Sequence, residues 1–326
     1  MIKTHIKSVS LSDIDINDDT YRITSVSNID ALAESIKEIG IINLPMVEKT
    51  SEGFRIVCGF KRIQACGILD VREILCKIVD NSSSSAQIDC LKIAIADNAT
   101  AVRLSLLEEA RAIVKLWALC DDKDQLPRIA NSLGIQVNRD LVEKYKRLCM
   151  LPDRIQQFVG DDIISLKIAL ELEKLDSESA HAIADVFDLT RPTFGQQREL
   201  IANLKAISDI ENTSVSKLLA SSPVRDILGD DTLDRKQKIQ SLRHQVKKLR
   251  YPYITSFESR YYTNLQKIHL PDGVALVPPR DFESPVYTFT VDFVNTDELQ
   301  YKADSLKQLS KSNELMAILN RKIENK

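Results

Sequence analysis

The chain has 326 residues, with 44 Lys and Arg against 47 Asp and Glu, a net charge of −3 and 44% hydrophobic residues. At roughly 100–200 residues per domain, that length allows two or three domains of ordinary globular composition. No apolar run approaches the roughly 18–20 residues of a membrane span, and MIKTHIKSVSLSD lacks the apolar core of a secretory signal, so a cytoplasmic protein is expected.

The six cysteines, Cys58, Cys66, Cys76, Cys90, Cys120 and Cys149, contain no C-x-x-C pair. Their spacing argues against a zinc ribbon and a disulfide framework and points to reduced, buried thiols. A net charge of −3 argues against a nucleic-acid binder only if the charge is evenly spread. It is not: Arg235–Arg250 holds seven Lys and Arg and no acid, while 161–188 holds eight acids against Lys167 and Lys174.

Residues 1–80 read as a small α/β unit. Ile29, Leu32, Ala33, Ile36 and Ile39 have helical spacing, with Ser27 or Asn28 as cap and Gly40 as stop. Ile41–Val47 reads as extended, and Pro45 suggests a sheet edge. Phe54–Cys58 is β-prone and ends at Gly59; Phe60–Cys66 is a short helix; Ile74–Val79 is a strand. The polar run 81–85 reads as a loop or hinge.

Residues 86–220 read as helical, with amphipathic spacing over Ile88–Asn98, Leu106–Leu119 and Leu126–Leu133, then Asn138–Leu148, Ile163–Leu175, Ser177–Phe187, Gly195–Asp209 and Val215–Ala220. Trp117 is expected in the core of the second of these. In the last third, Ile239, Leu242, Val246 and Leu249 make a short heptad-like seam, Pro252 interrupts it, Val274–Val277 and Tyr287–Phe293 read as strands, and a final helix spans about Glu298–Arg321.

Two segments carry chemistry. Leu126–Gly134 and Asn138–Leu148 fit a helix-turn-helix, whose second helix can enter a DNA major groove. Arg139 suits a guanine edge and Asn138 an adenine edge or a phosphate, while Lys144, Lys146 and Arg147 can hold phosphates. An ordinary helical hairpin with a solvated charged face has the same pattern. The second segment, Val57-Cys58-Gly59-Phe60-Lys61-Arg62, is a strand, a glycine and a basic helix start, a geometry that suits phosphate but also serves as a plain turn.

Taken together, these segments resemble the ParB family of DNA-partition proteins. Leu11–Asp15 with Tyr21-Arg22, Leu32–Ile36 with Ile39–Asn43, Gly59–Ala65, Asp97-Asn98 with Glu108–Ala110, and Leu126–Pro152 fall in the family's order, over about residues 8–175. The resemblance implies an α+β protein. It has a small ParB/sulfiredoxin-like α/β domain (1–85), an all-α domain with the helix-turn-helix at 126–148 (86–220), and a mixed α+β C-terminal region with a basic helix for dimerisation or interaction (221–326).

It also implies a homodimeric clamp on double-stranded DNA, a ParA-like ATPase partner, and CTP with Mg held by Arg22, Gly59, Lys61, Arg62 and Asn98, with Asp97 as the one candidate for hydrolysis. Phe60 and Gln64 depart from the family's G-E-R-R-x-R-A box, and Ala99-Thr100-Ala101 from its E-N-x-Q-R segment. These departures remove about half of the fixed donors and carboxylates that a triphosphate and its metal need. In the C-terminal third, Lys236, Lys238, Arg243, Lys247, Lys248 and Arg250 are candidates for sequence-independent DNA contact. The competing reading is a degenerate protein–protein adaptor or transcription regulator without nucleotide. Sulfiredoxin chemistry is disfavoured because its cysteine falls at Phe60. Nuclease chemistry is disfavoured because no carboxylate or His cluster is visible near Gly59.

Overall fold

The computed structural model describes residues 3–24, 29–79, 86–101, 103–282 and 284–320. The expected cap at Ser27 or Asn28 and the polar run 81–85 lie outside them. The chain divides into two compact units, residues 1–194 and 195–326.

The first unit opens with β1 (Thr4–Ser10), a 3-10 turn and β2 (Ile14–Asp15), followed by α1 (Asp30–Ile39), β3 (Met46–Lys49), β4 (Phe54–Cys58), α2 (Phe60–Ile68) and β5 (Glu73–Val79). The strands form one mixed sheet in the order β1-β5-β3-β4-β2. β5 alternates: Ile74, Cys76 and Ile78 point into a core shared with Val9, Val47, Ile56 and Ile63, while Leu75 and Lys77 face out. β3 is central, paired with β4 on one side and β5 on the other. The expectation of an edge at Pro45 is therefore wrong. The proline stands one residue before the strand, so no ladder N–H is lost, and its carbonyl accepts from Lys77 N at 2.9 Å.

Among the described residues, seven helices complete the unit: α3 (Ala86–Ala101), α4 (Leu106–Leu119), α5 (Leu126–Ser132), α6 (Arg139–Met150), α7 (Asp153–Gly160), α8 (Leu166–Leu172) and α9 (Ser177–Thr190). A capping box starts α4, with Ser105 N donating to Glu108 Oε2 at 2.9 Å and Glu108 N to Ser105 Oγ at 3.3 Å. α5 ends on Gly134 at φ +80, where Ile135 N reaches back to Ala130 O at 3.0 Å. The span expected as one helix from Ile163 to Leu175 is shorter, and α7 precedes it. Leu151-Pro152 ends α6 but also opens α7, where Pro152 stands as the cap.

The second unit contains α10 (Phe194–Glu211), α11 (Val215–Ala220), α12 (Ser222–Gly229), α13 (Arg235–Arg250), α14 (Pro252–Leu265), the hairpin β6 (Val274–Val277) and β7 (Thr288–Val291), α15 (Thr296–Leu309) and α16 (Asn313–Leu319). Pro252 stands at the start of α14 rather than only interrupting α13, because proline suits a helix's first turn. The heptad-like residues Ile239, Leu242 and Val246 are buried within this unit, where α13 packs on α12 and α14. The expected single terminal helix is two, divided where Ser312 caps α16 by accepting from Leu315 N at 3.1 Å. Tyr261, Leu276, Phe282, Leu315 and Ile318 form a second core. The fold is α+β: an α/β sheet at the N-terminus and a mostly helical remainder.

The stretch from Asp18 to Tyr21, after β2, is pinned by a buried polar network. Glu48 on β3 is 2% exposed and accepts from Tyr21 Oη at 2.9 Å, and Arg55 on β4 lies 3.8 Å from Glu48 and pairs with Asp18. Burial, then the bond to Glu48, pushes the Tyr21 phenol far above its ordinary pKa, so it stays a donor. Tyr21→Phe removes that donor from a buried carboxylate and should cost about 1–3 kcal/mol in urea unfolding of the full chain. An unchanged unfolding midpoint would contradict the assignment.

Candidate functional site: the Gly59 turn and the α5–α6 pair

β4 leads into α2 through Gly59, whose φ of +90 lies in the left-handed region. A Cβ there would stand 2.9 Å from Pro45 Cβ and 3.0 Å from Pro45 Cα, so conformation and packing both demand glycine. The first intrahelical bond is Ile63 N to Gly59 O at 3.1 Å. The N–H groups of Phe60, Lys61 and Arg62 therefore have no acceptor within the helix, which makes the turn attractive to anions. They open on a cavity of about 600 Å3 lined by Thr24, Leu32, Ile36, Asn43, Gly59, Lys61, Arg62, Asp97 and Asn98, among others.

Gly59, Lys61, Arg62, Asp97 and Asn98, predicted from separate segments, thus share one cavity. Arg62 ties it together: Nη2 donates to Asp97 Oδ2 at 2.9 Å and Nη1 to the Asn43 carbonyl at 2.6 Å. This joins α2 to α3 and to the loop before β3. Asn98 turns its Nδ2 to its own helix, 2.7 Å from Ala94 O. Phe60, in place of the family's glutamate, is a core residue with 7% exposure. Gln64, in place of an arginine, has a buried Oε1 with no partner among the described residues and gives the cavity no cation.

Arg22 lines a neighbouring cavity instead, its guanidinium 5.6 Å from the Phe60 ring centre. Placing it with the other five is corrected to that extent. Thr24 lines both cavities. The cradle suits phosphates: a helix start, Lys61 and Arg62. It suits a metal poorly, since Asp97 is the only carboxylate among the lining residues described and already holds Arg62.

The two segments read as a helix-turn-helix are α5 and α6, with Leu126, Ala130, Ile135, Val142, Tyr145 and Leu148 buried. Ile135 is a core residue that helical spacing does not mark, because it sits in the turn, where periodicity gives no signal. Asn138 caps α6, its Oδ1 accepting from Leu141 N at 2.8 Å, so that oxygen is already engaged. Arg139, the next residue, is exposed. The other three bases of α6 have acidic partners: Lys144 with Asp140 at 2.6 Å, Lys146 with Glu143 at 2.8 Å, and Arg147 with Glu173. Trp117 is half-buried at the surface rather than in the core, with Lys146 Nζ 4.1 Å and Lys123 Nζ 5.2 Å from its ring centre.

In the basic helix α13, Lys238 is 8% exposed and donates to the Leu228 carbonyl at 2.8 Å. It is structural, and its place among the DNA contacts is corrected. Arg243 pairs with Glu199 at 2.6 Å, Lys247 with Glu258 at 3.1 Å, and Arg250 donates to Asn203. Lys236 and Lys248 are the exposed pair that remains of the set.

Residues 2–98 match the ParB N-terminal domain family model. In sequence the chain is 26% identical over 135 residues to the chromosome-partitioning protein ParB of Myxococcus xanthus, covering 41% of this chain and 43% of that one. It is 28% identical over 135 residues to the stage 0 sporulation protein J of Bacillus subtilis, covering 41% and 45%. The chain spans less than half the length of these relatives. In structure it is similar to C-terminally truncated ParB of Caulobacter crescentus. With CTP-gamma-S, that protein shows 22% identity, 56% and 99% coverage and a TM-score of 0.26. Complexed to the centromeric parS site, it shows 18% identity, 56% and 91% coverage and a TM-score of 0.31. Among the described residues, no helix is long and apolar enough to cross a membrane, and no group of three His, Cys, Asp or Glu is placed to hold a metal.

All six cysteines are free, and all but Cys149 are buried. Burial, with Asp97 beside it, pushes the Cys58 thiol up to about 11, and burial pushes Cys90 to about 12. At pH 8 the native protein should therefore expose one thiol to Ellman's reagent, Cys149, and the other five only on unfolding. Rapid titration of two or more would contradict this placement.

Proposed function

The chain is a member of the ParB family through its N-terminal domain, and on that premise we propose that it is a DNA-binding partition protein acting in the cytoplasm as a homodimeric clamp. The observation that carries this reading is one compact unit holding both an α5–α6 pair, with Arg139 exposed at the start of its second helix, and a glycine turn built for phosphate. In the proposed complex α6 enters the major groove and Arg139 reads a base edge. Asn138, through its amide nitrogen, and Lys144, Lys146 and Arg147 meet the backbone. Lys236, Arg243, Lys247 and Lys248 add contacts without sequence preference. Dimerisation through residues 221–326 and a ParA-like ATPase partner belong to the same proposal.

Sequencing the genomic DNA recovered with the tagged protein tests this reading. One enriched palindrome is the expected result, and Arg139→Ala should relax one half-site position at a cost of about 1–3 kcal/mol. Uniform recovery, or none, would overturn it. That outcome would favour the second reading, an adaptor or regulator without nucleotide, for which the specific observation is that Lys144, Lys146 and Arg147 are all paired internally.

CTP is proposed as the ligand of the Gly59 cavity, with Lys61, Arg62 and the α2 N–H groups on its phosphates, Asp97 holding Arg62 in place and Asn98 in the wall. The thin carboxylate set argues for binding with little hydrolysis. Calorimetric titration with CTP and Mg should give saturable heat that Arg62→Ala removes. No heat in the unaltered protein would sink nucleotide binding while leaving DNA binding intact.

A further inference from the structure

The second cavity of the first unit, also about 600 Å3, lies beside the Gly59 cavity and is lined by the cations Arg22, Arg111 and Lys115, the carboxylates Asp19 and Asp153, and Cys149 and Gln156, among others. Arg111 and Lys115 are one helical turn apart on α4, so they present two cations to the same space. Lys115 Nζ donates to the Asp19 carbonyl. Arg111 Nη2 donates to Gln156 Oε1 at 3.1 Å. Gln156 is 6% exposed and fixed from its other end, Nε2 donating to Leu151 O at 2.8 Å and Cys149 O at 3.1 Å.

Burial holds the Lys115 ammonium below the ordinary lysine pKa; of the nearby charges the Asp19 carboxylate pulls hardest the other way, Arg111 lowers it and Asp18 raises it. Arg22 is a third cation lining the cavity, which also holds the carboxylates of Asp19 and Asp153. Gln156 Oε1 and the Asp19 carbonyl, which accept from Arg111 and Lys115, are neutral oxygens, so an anion that both cations can reach offers each a charge-assisted hydrogen bond.

We propose that this cavity binds a small phosphate-bearing anion, held by Arg111 and Lys115 with Arg22 as the third cation. The cavity lies among side chains of α4, α7 and the Asp19–Thr24 segment, and its volume accommodates a free oxyanion or the tail of a small molecule. An anion there ties that segment to α4 and α7. Because Thr24 also lines the Gly59 cavity, occupancy of one site bears on the shape of the other. The site does not depend on CTP binding.

Cys149 lines the cavity and serves as the probe. The full-length protein is alkylated with iodoacetamide, and Cys149 modification is followed by mass spectrometry in inorganic phosphate against chloride of equal ionic strength. Phosphate at ten times its dissociation constant should slow modification about tenfold. Arg62→Ala should keep the protection, and Lys115→Gln and Arg111→Gln, each checked for native circular dichroism, should lose it.

A parallel arm uses a nucleoside triphosphate in the Arg62→Ala background. Protection by phosphate identifies a free oxyanion, and protection by the triphosphate alone identifies a nucleotide tail; either supports the site. No protection by either, or protection that survives both Lys115→Gln and Arg111→Gln, would overturn it.

Discussion

A carboxylate buried on the central strand holds the N-terminal domain to one arrangement. Glu48 is nearly inaccessible, and a charge in that position is costly unless it is hydrogen-bonded. Tyr21 and Arg55 meet that demand, and Arg55 in turn takes Asp18. The segment from Asp18 to Tyr21 is therefore not a free loop but part of the sheet's electrostatics. Asp19, Arg22 and Thr24, which reach the two cavities, are placed by it. The Gly59 turn adds the second restraint, since the close approach of Pro45 fixes where α2 starts and hence where Lys61 and Arg62 stand.

Local chemistry was legible in the sequence wherever neighbours along the chain decide the outcome. The span of α4, the stop at Gly134 and the strand Val274–Val277 follow from periodicity, caps and glycine, and the structure has them at those places. The clustering of Gly59, Lys61, Arg62, Asp97 and Asn98 was legible through the order of the family's segments rather than through any one motif.

What was not legible depends on partners distant in sequence. Pro45 looks like an edge signal until its strand is seen to begin one residue later. Trp117 looks like core until Lys146, from another helix, is found over its ring. Lys238 looks like a surface cation until the Leu228 carbonyl is found beneath it. In each case the residue type carries the wrong average, and only the tertiary contact corrects it. The second cavity is hidden in the sequence for the same reason: Arg111, Lys115 and Gln156 form no motif, and they meet only when α4 and α7 pack.

The pairing of the α6 cations reaches beyond the fold. A duplex attracts proteins mainly through the counterions that unpaired lysines and arginines displace. On the proposed reading, a recognition helix whose Lys144, Lys146 and Arg147 are already matched by Asp140, Glu143 and Glu173 displaces few, so α6 by itself has little hold on random sequence. In the proposed complex, α6 then contributes discrimination at the base edges, and the bulk attraction to the duplex is left to the cations of α13.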